Sequence, residues 1–252
     1  MPKSKVAEID AREYDTTQLH EAGHGKTLHR DYTAHAFRWS FARRFITAKD
    51  TVLEVGCGQD KPLSKILTGG AAAHVGHYTG VDLNKLKTSN SQRLTFHGEF
   101  NFVERWKELL KAQPGGFDVL VAMEILEHMH SRHQLPFLKA CLACLKPGGT
   151  MLLSTPVYDG VRMAANHIAE VDVPTLQKLL DKAGFEIVRR HGTFMDLRHI
   201  GKAESKWASK EAINEVKKGL ATYFDNDMIS NVFGPLYEDA SRNNVWHCTK
   251  PQ

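Results

Sequence analysis

The chain has 252 residues, and its 33 Lys and Arg against 29 Asp and Glu give a formal net charge of +4. That length supports one large α/β domain with added segments, and 42% hydrophobic with 25% charged residues describes a folded globule rather than a disordered or fibrous chain. The charge permits a nucleic-acid or phosphate partner without arguing for one, and neither a run of about 18 apolar residues nor a signal-peptide pattern is present. No membrane partner is expected, and the four cysteines suit a reducing compartment, so the cytoplasm is the expected location.

Residues 1 to about 27 are polar with weak periodicity and read as a loose or partner-dependent arm. Within it, His20-Glu21-Ala22-Gly23-His24 matches the zinc-protease spacing H-E-x-x-H. That chemistry needs a helix packed into a core, and Gly23 and Gly25 interrupt one. Gly25-Lys26-Thr27 looks like the end of a phosphate loop, but the earlier glycine that loop requires falls at His20. From 32 to 46 the pattern changes to an amphipathic helix carrying His35, Arg38, Trp39, Phe41, Ala42, Arg43 and Phe45.

Alternation of strands and helices follows. Thr51-Val52-Leu53-Glu54-Val55-Gly56-Cys57-Gly58 reads as a buried parallel strand entering a tight glycine turn, with a helix over about 61–67. Glycine there lets the backbone lie against a ligand, because a Cβ would occupy the ligand's space. A dinucleotide fingerprint would need a third glycine at position 61, which is Lys61. Further strands are expected over 77–81, 94–97, 119–122, 151–154 and 185–189, and a final one over 244–249. Helices are expected over 101–112, 135–145 and 173–183. Cys141 and Cys144 make a C-x-x-C, but they share a helical face with Leu138, Leu142 and Leu145, so they read as buried small hydrophobes. About fifty residues, roughly 193–243, separate the last two strands, where a hairpin would need only a few. This insertion reads as an acceptor-binding cap. Its Lys202, Lys206, Lys210, Lys217 and Lys218 alternate with Glu204, Glu211 and Glu215, which fits a solvated face as well as a nucleic-acid surface.

Taken in order, Glu54-Val55-Gly56-Cys57-Gly58, Thr79-Gly80-Val81-Asp82-Leu83-Asn84, Phe117-Asp118-Val119-Leu120-Val121-Ala122-Met123-Glu124 and Leu145-Lys146-Pro147-Gly148-Gly149 resemble the motifs of class I S-adenosylmethionine-dependent methyltransferases. The resemblance covers roughly residues 45–192. It implies a Rossmann-like, doubly wound, seven-stranded sheet whose last strand is antiparallel, with residues 1–47 as an N-terminal arm and cap helix and 48–252 as the catalytic domain. It also implies a cofactor site. Gly56, Cys57 and Gly58 approach S-adenosylmethionine by backbone, Glu54 stands near the methionine end, and Asp82 accepts both ribose hydroxyls, unless it is only a helix N-cap before Asn84. Leu83 adjoins the cofactor, Glu99 and Phe100 are expected at the adenine, and Met123 and Glu124 line the methyl-transfer point. Tyr32, His35 and Arg38 face the ligands, unless the helix merely covers the sheet.

The acceptor side centres on Glu124-Ile125-Leu126-Glu127-His128-Met129. On a helix, positions i, i+3 and i+4 share a face, so Glu124, Glu127 and His128 converge, and His167 supplies a fourth ligand for Mg²⁺, Mn²⁺ or Zn²⁺. This E-x-x-E-H with a later histidine resembles small-RNA 3′-terminal 2′-O-methyltransferases and ubiquinone-pathway O-methyltransferases, in which a divalent ion holds the acceptor hydroxyls. The alternatives are metal-free catalysis, with His128 or His167 as the base and Glu127 beside it, or a purely structural turn. The Asn/Asp-Pro-Pro-Tyr/Phe motif of amino-directed DNA methyltransferases and a Pro-Cys nucleophile are both absent. The expected acceptor is therefore a hydroxyl, or an unusual nitrogen, on a small molecule, nucleotide or RNA end. A nicotinamide-dependent oxidoreductase and a non-catalytic adenosyl-ligand-binding module are the rival readings.

Overall fold

The computed structural model describes residues 6–8, 13–16, 30–59, 62–69, 74–87, 90–161, 163–199 and 208–252. The zinc-protease-like 20–24, the phosphate-loop-like 25–27, Lys61, Lys202, Glu204, Lys206 and the side chain of Tyr32 lie outside them. In chain order the elements are β1 (Val6–Glu8), α1 (Arg30–Arg43), β2 (Thr51–Val55), α2 (Pro62–Thr68), β3 (His77–Val81), β4 (Leu94–His97), α3 (Phe102–Ala112) and β5 (Phe117–Met123). After a 3-10 turn at Leu126–His128 come α4 (Ser131–Cys144), β6 (Leu145–Pro156), β7 (Ala169–Val171), α5 (Val173–Ala183), β8 (Glu186–Met195), α6 (Lys210–Leu220), α7 (Asn226–Phe233) and β9 (Ser241–Thr249).

The main sheet has seven strands in the order β4-β3-β2-β5-β6-β9-β8. β2 pairs in parallel with β3 and with β5, and β5 pairs in parallel with β6. β9 runs antiparallel to both β6 and β8. The doubly wound sheet with an antiparallel last strand is therefore as expected. The chain leaves β2 toward β3 and β4, then returns to β5 on the other side. A crevice opens at such a reversal, outside the carboxyl ends of β2 and β5.

Alternation along the strands fills both faces of the sheet. Leu53, Val55, Leu120 and Ala122 point into one core with residues of α3, α4 and α5. Val52, Val119, Val121 and Met123 point into the other, with Ala42 of α1 and Leu63 and Leu67 of α2. α5 shows why these helices start and stop where they do: Asp172 Oδ1 accepts from the Thr175 N–H at 2.9 Å, and Gly184 ends the helix with φ +99°. The insertion between β8 and β9 builds a small core of its own from Met195, Ile213, Ile229, Phe233 and Tyr237. It meets α1 where Asn231 Nδ2 donates to Thr33 Oγ1 at 3.2 Å.

The arm differs from its expected looseness. β1 pairs antiparallel with β7, with Ala7 opposite Glu170, and Tyr14 forms an isolated bridge with Met129. Polar composition hid this, because the pairing uses backbone groups that any residue carries.

Candidate active site

The glycine turn after β2 is stitched to the end of β3. The Gly56 and Cys57 N–H groups both donate to the Val81 carbonyl, at 2.8 and 3.2 Å. Asp82 accepts from the Gly58 N–H through Oδ2 at 2.9 Å and from the Asn84 N–H through Oδ1 at 2.8 Å. Its carboxylate thus caps the local turn and still keeps a lone pair on each oxygen. Gly56 and Gly58 hold φ of +74° and +66°, a region that disfavours side chains. One expectation is corrected: the space beside Gly56 belongs to the chain, since a Cβ there would lie 2.0 Å from Ile125 Cδ1. Next to Asp82, Leu83 is an exposed apolar side chain.

Glu54, at the end of β2, is buried and accepts from the Tyr78 hydroxyl. Burial, with the Asp82 charge adding, pushes its pKa up to about 8 against the opposing pull of the Tyr78 bond. The folded protein therefore holds a proton that the unfolded chain releases near pH 4.3. Stability from this group is full below that pH, declines as pH rises toward 8, and is flat above. Glu54→Gln, permanently neutral, is expected to be more stable than the parent by about 5 kcal/mol at pH 8.5 and equal to it at pH 4. Urea melts of both proteins at the two pH values check this, and a pH-independent difference would overturn it.

At the expected adenine end the outcome is mixed. Glu99 is exposed with φ +52°. Phe100 is a core residue, 2% exposed, with the Arg105 guanidinium 4.5 Å over its ring. The expectation of Phe100 stacked on a ligand ring is therefore corrected, since its ring already packs within the chain.

The E-x-x-E-H segment does not form one helical face. Glu124 adopts φ +56°, and only Leu126–His128 turns, as a short 3-10 helix. The Glu124 carboxylate accepts from Ser154 Oγ at 2.7 Å and Asn243 Nδ2 at 2.6 Å, and Arg38 stands 3.8 Å away. Burial alone would raise the Glu124 pKa, but the Arg38 and His35 charges and the Ser154 bond hold it below the usual carboxylate range. Met123, just before it, is buried in the α1–α2 core. Arg38 is 2% exposed with no partner for its Nε among the described residues, so it answers Glu124 rather than lining an open surface. His35 stacks on Trp39 at 5.1 Å.

Glu127 takes the other route, toward Thr155. It is 1% exposed; its Oε2 accepts from Thr155 Oγ1 at 3.0 Å, and its Oε1 is buried without a hydrogen-bond partner among the described residues. Burial, then the Glu124 charge, pushes its pKa up to about 8. His128 Nδ1 donates to the Asn166 carbonyl at 2.9 Å, which leaves the lone pair on Nε2. Burial, then the His167 charge, lowers the His128 pKa. His167 Nδ1 bonds the buried Glu170 carboxylate. Burial opposes charge on His167, but the Glu170 bond and the Glu127 and Glu170 charges together raise its pKa. The two imidazoles meet edge to face at 4.9 Å. One ligand atom each from Glu127, His128 and His167 lies within 4.8 Å of the others, and Glu124 stands outside this group. The four-ligand expectation is thus corrected to three.

Sequence reasoning missed Glu170, Asn243, Ser154 and Thr155. The signal was there in part. Ser154-Thr155 ends an apolar strand with two buried polar residues, and Glu170 follows His167 by three positions. Polar side chains at the carboxyl ends of sheet strands are where α/β proteins build sites.

The methyltransferase-domain family matches residues 27–190. The chain belongs to that family. By family and fold it is a class I S-adenosylmethionine-dependent methyltransferase, which counts against the nicotinamide reading. It is 36% identical over 108 residues to a ubiquinone biosynthesis O-methyltransferase from Xanthomonas campestris pv. campestris, a match covering 41% of this chain and 42% of that protein. The chain thus spans less than half the length of this curated relative. Its fold is similar to that of a SAM-dependent methyltransferase from Archaeoglobus fulgidus, with TM-score 0.57 and 17% identity over 88% of this chain and 94% of that one. The 1,6-didemethyltoxoflavin-N1-methyltransferase from Burkholderia thailandensis is similar over 100% of this chain and 97% of that one, with TM-score 0.53 and 18% identity. At these identities the likeness is one of fold. No helix among the described residues is long and apolar enough to cross a membrane.

Proposed function

We propose that this methyltransferase transfers the methyl group of S-adenosylmethionine to a hydroxyl oxygen of a small-molecule acceptor, activated by Glu127, His128 and His167. The observation that carries the reading is their convergence: two imidazoles whose Nδ1 atoms are committed to Asn166 and Glu170, and a buried Glu127 oxygen with no partner among the described residues. The name of the Xanthomonas relative, an O-methyltransferase, supports oxygen as the acceptor atom. An RNA 3′ end, with its vicinal hydroxyls, is the second acceptor class that such a cluster suits.

For the cofactor, the backbone of Gly56, Cys57 and Gly58 forms the floor, and the spare lone pairs of Asp82 accept the ribose hydroxyls. Leu83 offers an apolar face to the adenine, exposed Glu99 an acceptor for its amino group, and Glu54 lies toward the methionine end. In the transfer, the acceptor oxygen attacks the methyl carbon. The carbon–sulfur bond breaks with its electron pair passing to sulfur, and S-adenosylhomocysteine leaves. The hydroxyl proton passes to His128 Nε2, whose lowered pKa keeps it neutral and receptive. The sulfonium already activates the methyl group, so the chain's task is alignment and this proton.

The same three residues fit a divalent ion, because Glu127 Oε1 is a buried acceptor without a partner among the described residues and each imidazole can present a ring nitrogen once His167 gives up its proton. Such an ion would lower the hydroxyl pKa and orient the oxygen. With Glu124 outside the set, two imidazoles and one carboxylate suit Zn²⁺ or Mn²⁺ better than Mg²⁺, which prefers oxygen ligands. Four free, buried cysteines support a reducing compartment such as the cytoplasm.

Calorimetric titration of S-adenosylhomocysteine into chelator-treated protein, repeated with Zn²⁺, Mn²⁺ or Mg²⁺, tests the reading. Binding of S-adenosylhomocysteine is expected, with a separate heat for Zn²⁺ or Mn²⁺. Cofactor binding without an ion heat leaves His128 as a plain base. Asp82→Ala is expected to weaken S-adenosylhomocysteine about a hundredfold, the loss of two hydrogen bonds to a charged acceptor. Unchanged affinity would put the ribose elsewhere.

A further inference from the structure

The arm crosses the place where the cofactor is read to lie. The His130 N–H donates to the Glu13 carbonyl at 3.0 Å, and the Asp15 N–H donates to the His128 carbonyl at 2.8 Å. Both partners follow β5. At the other end, Asn84 Nδ2 donates to the Thr16 carbonyl at 3.3 Å, and Asn84 follows β3. Between them the Tyr14 side chain hydrogen-bonds Asn101, which follows β4. In the sheet, β2 stands between β3 and β5. A segment bonded to the ends of β3 and β5 therefore spans the end of β2, where Gly56, Cys57 and Gly58 turn.

We propose that residues 13–16 are a strap over the cofactor cleft that must lift for S-adenosylmethionine to enter and S-adenosylhomocysteine to leave. The inference rests on the cofactor lying over the glycine turn. The strap's fastening is a surface latch. The Glu13 carboxylate bonds Arg132, with Nε at 3.0 Å, and His133, while Tyr14 stacks on His133 at 5.0 Å. Glu13 and Arg132 side chains are 45% and 57% exposed, and exposed ion pairs are weak. The ion-pair part of this latch releases at small cost, while Tyr14 packs against the main core and Asp15 is buried. The other end of the arm is fixed in a different way, by the backbone pairing of β1 with β7.

The test is stopped-flow binding and displacement of S-adenosylhomocysteine with the full-length parent, with Glu13→Ala and with Glu13→Ala/Tyr14→Phe, which keeps the ring stack but removes the hydroxyl. Release of the latch is expected to raise both the association and the dissociation rate, about tenfold in the double variant, with little change in Kd. A strap that only touches the ligand would raise dissociation alone, and rates equal to the parent's would mean a static brace; either result overturns the proposal. Hydrogen exchange on the parent gives a second readout that needs no variant. The Asp15 and His130 amides are expected to exchange more slowly once S-adenosylhomocysteine is bound, and unchanged exchange would refute the strap. Failure of the parent to bind S-adenosylhomocysteine at all would instead sink the cofactor reading, and this inference with it.

Discussion

His167→Ala is expected to lower kcat about a thousandfold while leaving S-adenosylhomocysteine affinity within about twofold of the parent. His167 offers one ring nitrogen within 4.8 Å of ligand atoms of His128 and Glu127, and its ring is oriented by the buried Glu170 carboxylate. Removing the ring takes away one of three converging donors whether they hold an ion or organise the proton. The cofactor contacts assigned above lie at the ends of β2, β3 and β4, so binding should persist. Single-turnover methylation of a catechol or a nucleoside, alongside calorimetry, separates the two effects. A fall in kcat below about tenfold would remove His167 from the mechanism.

Glu124→Ala is expected to cost about 3 kcal/mol of folding stability at pH 7, although Glu124 is only three positions from Glu127. The substitution leaves the Arg38 guanidinium buried without its counter-charge and takes the acceptor from Ser154 and Asn243. The sign with pH follows from the depressed Glu124 pKa. Its contribution is complete above the unfolded-state value near 4.3 and is lost as pH falls through the lower folded value. The difference from the parent should therefore narrow in acid. Adding Arg38→Met to Glu124→Ala removes the stranded charge and should restore most of the loss. Denaturant unfolding of the single and double variants measures this, and a single-variant cost under about 1 kcal/mol would mean that Arg38 reaches solvent.

These two acids mark the limit of what the amino-acid sequence made legible. The parallel strands were readable because each holds a short apolar run followed by a glycine, an acid or a proline, whereas the three-residue β1 and β7 went unread. Asp82, the glycine turn and the antiparallel β9 all lie where motif order put them. Glu124 was misread because a helical repeat was assumed across Glu124-Ile125-Leu126-Glu127-His128. A left-handed residue at 124 breaks that repeat and sends one carboxylate to Ser154 and the other to Thr155. Local spacing cannot register such a residue unless it is glycine or asparagine. Asn243 joins Glu124 across 119 positions, and the arm pairs with β7 through backbone alone. Contacts of that range leave no periodic trace. Phe100 failed for another reason, since an aromatic ring signals a core as readily as a ligand face.

The position of β9 bears on how the chain reaches its native state. β9 lies between β6 and β8, yet the ribosome makes it after both and after the whole cap. Until β9 is made, β8 has no neighbour in the sheet, and β6 presents a bare edge that neighbouring nascent chains can pair with. Completion of the sheet then requires β9 to pair with β6 and to take β8 onto its other edge, and the long loop ahead of it must close first. Because closure entropy grows only slowly with loop length, trimming the cap would speed this step little. Covering the β6 edge during synthesis, as a chaperone does, would protect the yield of folded protein far more.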